Sequence, residues 1–225
     1  YTVEQLAETA IETDIPPAIF DKIKLCARAW IEKTPIVLSR PKISQSKVEF
    51  FVDFEGTDEQ ETPEGMMKFD YLIGLLHCED ATAAFIPFVS ESLLGEKEML
   101  ERFVQYMRAY PNAAIYHYGP YERTHLRELG KKHDIIVEPL LKNMIDTLSI
   151  VKRCVVFPTI SMSLKEIGRF LGFKWRAMAS AQDSIVSYLR FLETKDRKLL
   201  NTIIDYNEDD VRATKIVKDY LMTLK

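Results

Sequence analysis

The stretch KVEFFVDFEG, residues 47–56, constrains the fold more than any other part of the chain, because its apolar positions recur with period two. Side chains on a strand alternate between faces, so Val48, Phe50, Val52 and Phe54 form one unbroken apolar face. Glu49, Phe51, Asp53 and Glu55 share the other. One face packs on a core, and the other aims two carboxylates, Asp53 and Glu55, at one region of space. Acidic residues on an open strand face are ordinarily solvated, and a hard cation needs several clustered oxygens. The pair therefore becomes a metal candidate only if the rest of the chain supplies more carboxylates.

The remaining punctuation predicts an α/β protein with a mixed sheet. Residues 2–31 read as two helices broken at Ile15-Pro16-Pro17, with Thr2 and Gln5 matching a capping box. Residues 34–46 carry Pro35, Pro41 and several Ser and Thr without periodicity, and read as a linker with a boundary near residue 40. The expected division is a helical segment over 1–40 and one larger domain over 41–225. Strand-like runs at 47–55, 68–77 and 81–89 form an antiparallel meander, the first two separated by a polar loop containing Pro63 and Gly65. Leu100, Phe103, Val104 and Met107 then predict a helix, Ala113 to Tyr118 a strand, and Gly119-Pro120 the start of another helix. A short strand is expected over 143–146. Ser163 and Glu166 cap a helix closed by Gly172, and further helices start at Asp183 and Asp196.

Composition excludes several classes. The chain has 225 residues and a net charge of −4, which argues against bulk electrostatic capture of nucleic acid but allows a local basic groove. Its three cysteines, Cys26, Cys78 and Cys154, form no CxxC pair, so a disulfide framework, an iron–sulfur cluster and a zinc knuckle are not indicated. The four histidines show no ligand spacing. With no apolar run long enough to span a membrane and no basic-then-apolar leader, the expectation is a cytoplasmic protein with no membrane partner. A chain opening at Tyr1 reads as a piece of a longer polypeptide.

The last helix supplies the next carboxylate. Leu200, Ile203, Asn207, Asp210, Thr214, Val217 and Leu221 follow helical spacing along one face, so Asn207 and Asp210 interrupt an apolar stripe. A buried unpaired carboxylate is costly, and Asp210 therefore needs a hydroxyl, an amide or a metal as partner. Tyr206 stands one turn before Asp210, whereas Asp205 and Asp209 are expected on the solvated side. In HYGPYE, residues 117–122, Glu122 shares a helical face with Leu126 and Leu129 and points inward. An acid in a first helical turn is also favourable for purely local reasons.

Together these motifs resemble those of the DEDD superfamily of 3′-to-5′ exonucleases, which have an RNase H-like fold. Asp53-x-Glu55 matches the first motif, HYGPYE the second, and Tyr206-x-x-x-Asp210 the third, whose tyrosine is that of the DEDDy branch. Glu122 stands where the family usually has Asp, and Tyr118 where it usually has Asn. DYNEDDVRAT with SLKEIGRFLGF is more closely similar to the C-terminal RNase H-like domain of predicted RecB-family nucleases, over roughly residues 47–222. The N-terminal residues are similar to the helix-hairpin-helix-like segment that precedes that domain, although the turn Asp14-Ile15-Pro16-Pro17 lacks a glycine.

The resemblance implies two Mg²⁺ or Mn²⁺ ions held by Asp53, Glu55, Glu122 and Asp210, with Tyr206 orienting the attacking water. Asp53, Glu55, Asp210 and Tyr206 are then the catalytic set. Asp146 is the reserve carboxylate, unless it only caps a helix. Phe51, Tyr118 and Tyr121 are candidates to stack on a base, and Lys152, Arg153, Lys165 and Arg169 to meet phosphates. The implied partners are single-stranded DNA or RNA, and nuclease domains upstream in a longer polypeptide. The expected activity is 3′-to-5′ exonucleolytic cleavage of single-stranded ends. The competing readings are a weak or inactive nucleic-acid-binding or assembly module, and a structure-selective endonuclease, since fold and metals do not fix the substrate.

Overall fold

A computed structural model describes residues 2–8, 14–44, 46–62, 65–176 and 181–224. Two helices, α1 (Val3–Glu8) and α2 (Pro17–Glu32), lead into a short strand, β1 (Ile36–Val37). The sheet region follows as β2 (Val48–Gly56), β3 (Gln60–Thr62), β4 (Gly65–Met67), β5 (Asp70–Glu79) and β6 (Thr82–Val89). Next come α3 (Glu96–Arg108), β7 (Ala114–His117), α4 (Tyr121–His133), α5 (Glu138–Asn143) and β8 (Met144–Asp146). The chain closes with α6 (Thr147–Cys154), β9 (Val155–Val156), α7 (Leu164–Phe170), α8 (Ala181–Thr194) and α9 (Arg197–Thr223).

Five strands form the main sheet in the order β6-β5-β2-β7-β8. The β6-β5-β2 part is an antiparallel meander, and β7 and β8 add to it in parallel. The period-two alternation of β2 divides the molecule as expected. Phe50, Val52 and Phe54 enter a core with Ile73 and Leu75 of β5, Met99 and Phe103 of α3 and Leu126 of α4. Phe51 faces the other way, in a cluster with Leu76, Tyr116 and Val211 of α9. The long helix α9 thus lies on the sheet face that carries Asp53 and Glu55.

The caps are those expected. Thr2 and Gln5 exchange hydrogen bonds as a capping box, Thr2 N donating to Gln5 Oε1 at 2.9 Å. Ser163 Oγ accepts from Glu166 N at the head of α7, and Asp196 accepts from Lys198 N at the head of α9. Gly172 adopts φ +88°, the left-handed conformation that ends a helix, and Phe173 N donates back to Gly168 O.

Several stretches differ from the sequence expectation: α5 and α6 form where no helix was expected, and α8 starts at Ala181 and not at Asp183. The linker over 34–46 contains β1, which pairs antiparallel with β9, and Leu38 N donates to Cys154 O at 2.7 Å. The polar loop between the first two long strands holds the β3-β4 pair. Runs of two or three residues carry too little periodicity to announce themselves, and their partners in the β1-β9 case lie more than a hundred residues away. Among the described residues, no helix is long and apolar enough to cross a membrane.

Candidate metal centre

Asp53 lies directly opposite Gly74 in the β2-β5 ladder. The missing side chain at Gly74 matters because Asn207 of α9 fills that space. A Cβ on residue 74 would lie 1.5 Å from Asn207 Oδ1. So seated, Asn207 Nδ2 donates to Asp53 Oδ2 at 2.7 Å and to Asp53 O at 3.2 Å. One turn further along α9, Asp210 comes over the same strand. Ligand oxygens of Asp53, Glu55 and Asp210 lie within 4.8 Å of one another.

Each carboxylate has its own support. Glu55 Oε2 accepts from Ser184 Oγ of α8 at 2.9 Å, and Ser184 Oγ lies 2.7 Å from the Tyr71 hydroxyl. Asp210 Oδ1 accepts from the indole Nε1 of Trp175 at 2.6 Å. Trp175 reaches that position over Gly168, where a Cβ would lie 2.6 Å from the indole ring. Tyr206 is buried beside Asp210, and the Lys165 ammonium lies 4.7 Å from the centre of the Tyr206 ring.

The clustering shapes the titration of the whole group. Burial raises the Asp53 carboxyl well above its usual value, and the charges of Asp210, Glu55 and Glu122 raise it further. Burial raises Glu55 to about 8 against the bond from Ser184. Asp210 rises to about 6, again by burial, with Trp175 and Lys165 opposing. The Tyr206 phenol is raised by burial and then by the charges of Asp210, Glu55 and Asp53, so it stays protonated near neutral pH. Three carboxylates crowded at this cost form a site chemically suited to a divalent cation. They open onto a cleft of about 380 Å³ that is also lined by Tyr121, His125 and Tyr206.

The other candidates lie at varied distances from this triad. Glu122 is buried with Oε2 3.4 Å from His117 Nδ1, and is not one of the three converging residues. His117 Nδ1 also lies 2.6 Å from Gly119 O. Asp146 caps α6, accepting from Ser149 N and Ser149 Oγ, and takes a further bond from Gly119 N. Phe51 is fully buried and stacked on Tyr116, so its ring is not free to meet a base, and Tyr118 is half-buried with its hydroxyl donating to Met162 O. Tyr121, 42% exposed, stays at the cleft. Lys152 and Arg153 are exposed on α6, and Arg169 lies 3.7 Å from Glu166.

Asp209 is a correction. It was expected on the solvated side of the helix, yet it is buried, accepting from Arg176 N at 2.7 Å and Arg176 Nε at 2.9 Å. The chain after α7 folds back over α9 and covers that side, which helical periodicity cannot show. Asp205 is exposed as expected, with Arg176 Nη1 at 3.4 Å. Trp175 and Ser184 went unnoticed in the sequence for a related reason: their bonds to Asp210 and Glu55 span 35 and 129 residues, and neither lies in a periodic pattern with its partner.

A family model described as the RNase H superfamily matches residues 50–222. The chain belongs to the RNase H superfamily. That match spans β2 through most of α9, and so includes all three converging carboxylates. Among solved structures, this RNase H-like chain is similar to the family B DNA polymerase from the hyperthermophilic archaeon Pyrobaculum calidifontis. The two superpose with a TM-score of 0.62 at 15% sequence identity, over 80% of this chain and 25% of the polymerase. The superfamily member thus corresponds to about a quarter of that longer protein. A comparison with curated proteins gave no match.

Proposed function

We propose that this RNase H-like chain is a metal-dependent nuclease, a 3′-to-5′ exonuclease acting on single-stranded ends. The observation that carries the reading is the convergence of Asp53, Glu55 and Asp210 within 4.8 Å at an open cleft of this fold. The likeness to a DNA polymerase favours nucleic acid as the partner.

The donor set fits Mg²⁺ or Mn²⁺, which prefer carboxylate oxygens, and offers no soft ligand among the three. Asp53, Glu55 and Asp210 would hold the ions, with Glu122 completing a second position from its place beside His117. Bound there, divalent ions neutralise the charge of a phosphodiester and acidify water. The protein's own groups then divide the remaining work. Trp175, Ser184 and Asn207 fix the carboxylates of Asp210, Glu55 and Asp53 by donating to them. Tyr206, protonated at neutral pH, acts as a hydrogen-bond donor that orients a water and not as the base that takes its proton. Lys165, beside Tyr206, adds positive charge where a phosphate would enter.

The position of Glu122 favours a second reading, a nucleic-acid-binding module with weak or no activity. Its carboxylate lies 3.4 Å from His117 Nδ1 and outside the triad, so a second ion has less to hold it. An endonuclease cutting particular structures would use the same chemistry and differ in its products.

The test is cleavage of 5′-labelled single-stranded DNA and RNA with Mn²⁺, Mg²⁺ or EDTA. The expected result is a metal-dependent ladder shortened from the 3′ end, abolished in Asp53→Asn and in Asp210→Asn with the fold retained by circular dichroism. Full activity in either variant overturns the assignment of the site. Internal cuts point to the endonuclease, and metal-independent binding without cleavage to the module.

A further inference from the structure

A second constellation borders the acidic cluster. Asp70 opens β5 in register with Gly56, one residue beyond Glu55. Its carboxylate approaches so closely that a Cβ on Gly56 would lie 2.5 Å from Asp70 Oδ1 and 3.1 Å from the Tyr121 hydroxyl. Both Asp70 oxygens lie 3.0 Å from His125 Nδ1. The Tyr121 ring stacks on the imidazole at 3.7 Å. His125 is therefore held from two sides, and Nε2 is the ring nitrogen left for a ligand.

The setting favours an anion. His125 and Lys68 line both the cleft of the acidic cluster and a neighbouring cleft of about 360 Å³. Lys68 is exposed, and no carboxylate pairs with it among the described residues. The buried acids of the second cleft already have partners: Asp70 pairs with His125, and Glu96 with Lys132 at 2.5 Å and with His133 at 2.6 Å. Glu96 also accepts from Asp70 N at 2.7 Å, which locks the histidine's anchor to α3 and α4. Glu128, exposed on the rim of the second cleft, and Asp58, which lines the first with Lys68 and His125, are opposing charges. Burial works against a charge on His125, but Asp70 more than offsets it and holds the imidazole above its usual value.

We propose that His125 Nε2 and Lys68 Nζ form a phosphate-binding position adjoining the acidic cluster, which grips the backbone of the nucleic-acid strand next to the bond that is cut. Asp70 is its positioning residue. The site rests on the nuclease reading above and deepens it: the substrate runs past the cleft and the start of β5 towards α4, and a phosphate there is read by charge and not by base.

The experiment measures binding of labelled oligothymidylate and oligouridylate to the whole chain, with Ca²⁺ in place of Mg²⁺, over a series of salt concentrations. Each phosphate contact on a single strand contributes about 0.7 to the slope of log K against log salt. His125→Gln and Lys68→Ala are each expected to weaken binding and lower that slope by about this amount. Their Mn²⁺ affinity, read by calorimetry, stays at the wild-type value. Asp70→Asn should reproduce the loss of His125→Gln without adding to it in the double variant. If His125→Gln fails to fold by circular dichroism, Lys68→Ala, on an exposed side chain, decides the question. Wild-type affinity and slope in Lys68→Ala and a folded His125→Gln overturn the site and leave the nuclease reading standing. A wild-type protein that binds neither strand overturns both.

Discussion

Trp175 shows how much of the candidate centre depends on residues that carry no charge. Its indole donates to Asp210 at 2.6 Å, and this bond opposes the rise that burial imposes on that carboxyl. A partner that orients a ligand in this way typically contributes 10- to 100-fold to metal affinity or activity. Trp175→Phe is therefore expected to weaken Mn²⁺ binding by roughly 10- to 100-fold while preserving the far-ultraviolet circular dichroism. Calorimetric titration checks it, and an affinity equal to wild type would show the indole to be packing alone. Asp53, Glu55 and Asp210 were legible because each sits in a period, two for the strand and 3.6 for the helix. Trp175 and Ser184 had no such period, and Asp209 had a misleading one.

Between elements, the decisive contact is α9 against the β2-β5 ladder. It works because residue 74 has no side chain: Asn207 occupies that space and bonds to Asp53, and Asp210 follows one turn later. Gly74→Ala would force Asn207 and the helix outward, since a Cβ cannot sit 1.5 Å from Oδ1. Overpacking of this kind costs typically 1–3 kcal/mol, so chemical denaturation should show a loss of about that size, with metal binding weakened as well. A variant as stable as wild type would mean that α9 is seated by its other contacts. The glycine is visible in the sequence as an odd residue within an apolar strand, but what fills the gap is 133 positions away in the chain, at Asn207. The antiparallel meander and the capped helices followed from alternation and caps, whereas the short β1, β3 and β4 did not. We propose that the helical segment and the sheet domain divide near residue 40, just beyond the β1-β9 pair.

For the molecule as a whole, the buried acids tie stability to pH. Glu55 titrates at about 8 against an ordinary 4.5, and Asp210 at about 6 against 3.8. Without metal, the folded protein therefore binds more protons than the unfolded chain between roughly pH 4 and pH 8, and its stability falls as pH rises through that window. His125, raised by Asp70, works in the same direction as it loses its proton. Thermal melts of the metal-free protein should shift down from pH 5 to pH 8. Saturating Mn²⁺ should abolish most of that slope, because metal and protons compete for the same oxygens. A melting temperature that rises with pH in EDTA would contradict the raised carboxyls. Asp210→Asn, which removes one of these charges, should melt higher than wild type at pH 8 without metal.

Period-two alternation in β2 and helical spacing in α9 announced an α/β protein with carboxylates on facing elements, and the motif order between them carried the resemblance to an RNase H-like fold with four metal-binding carboxylates, of which Asp53, Glu55 and Asp210 converge. Those features are local, or repeat at a fixed interval, so they survive in a linear reading. The indole on Asp210, the burial of Asp209 and the Asp70-His125 pair at the cleft wall come from residues 33 to 55 positions apart in sequence. Their distances are set by how the strands register and how α9 packs on the sheet, and no periodicity within any single segment encodes them.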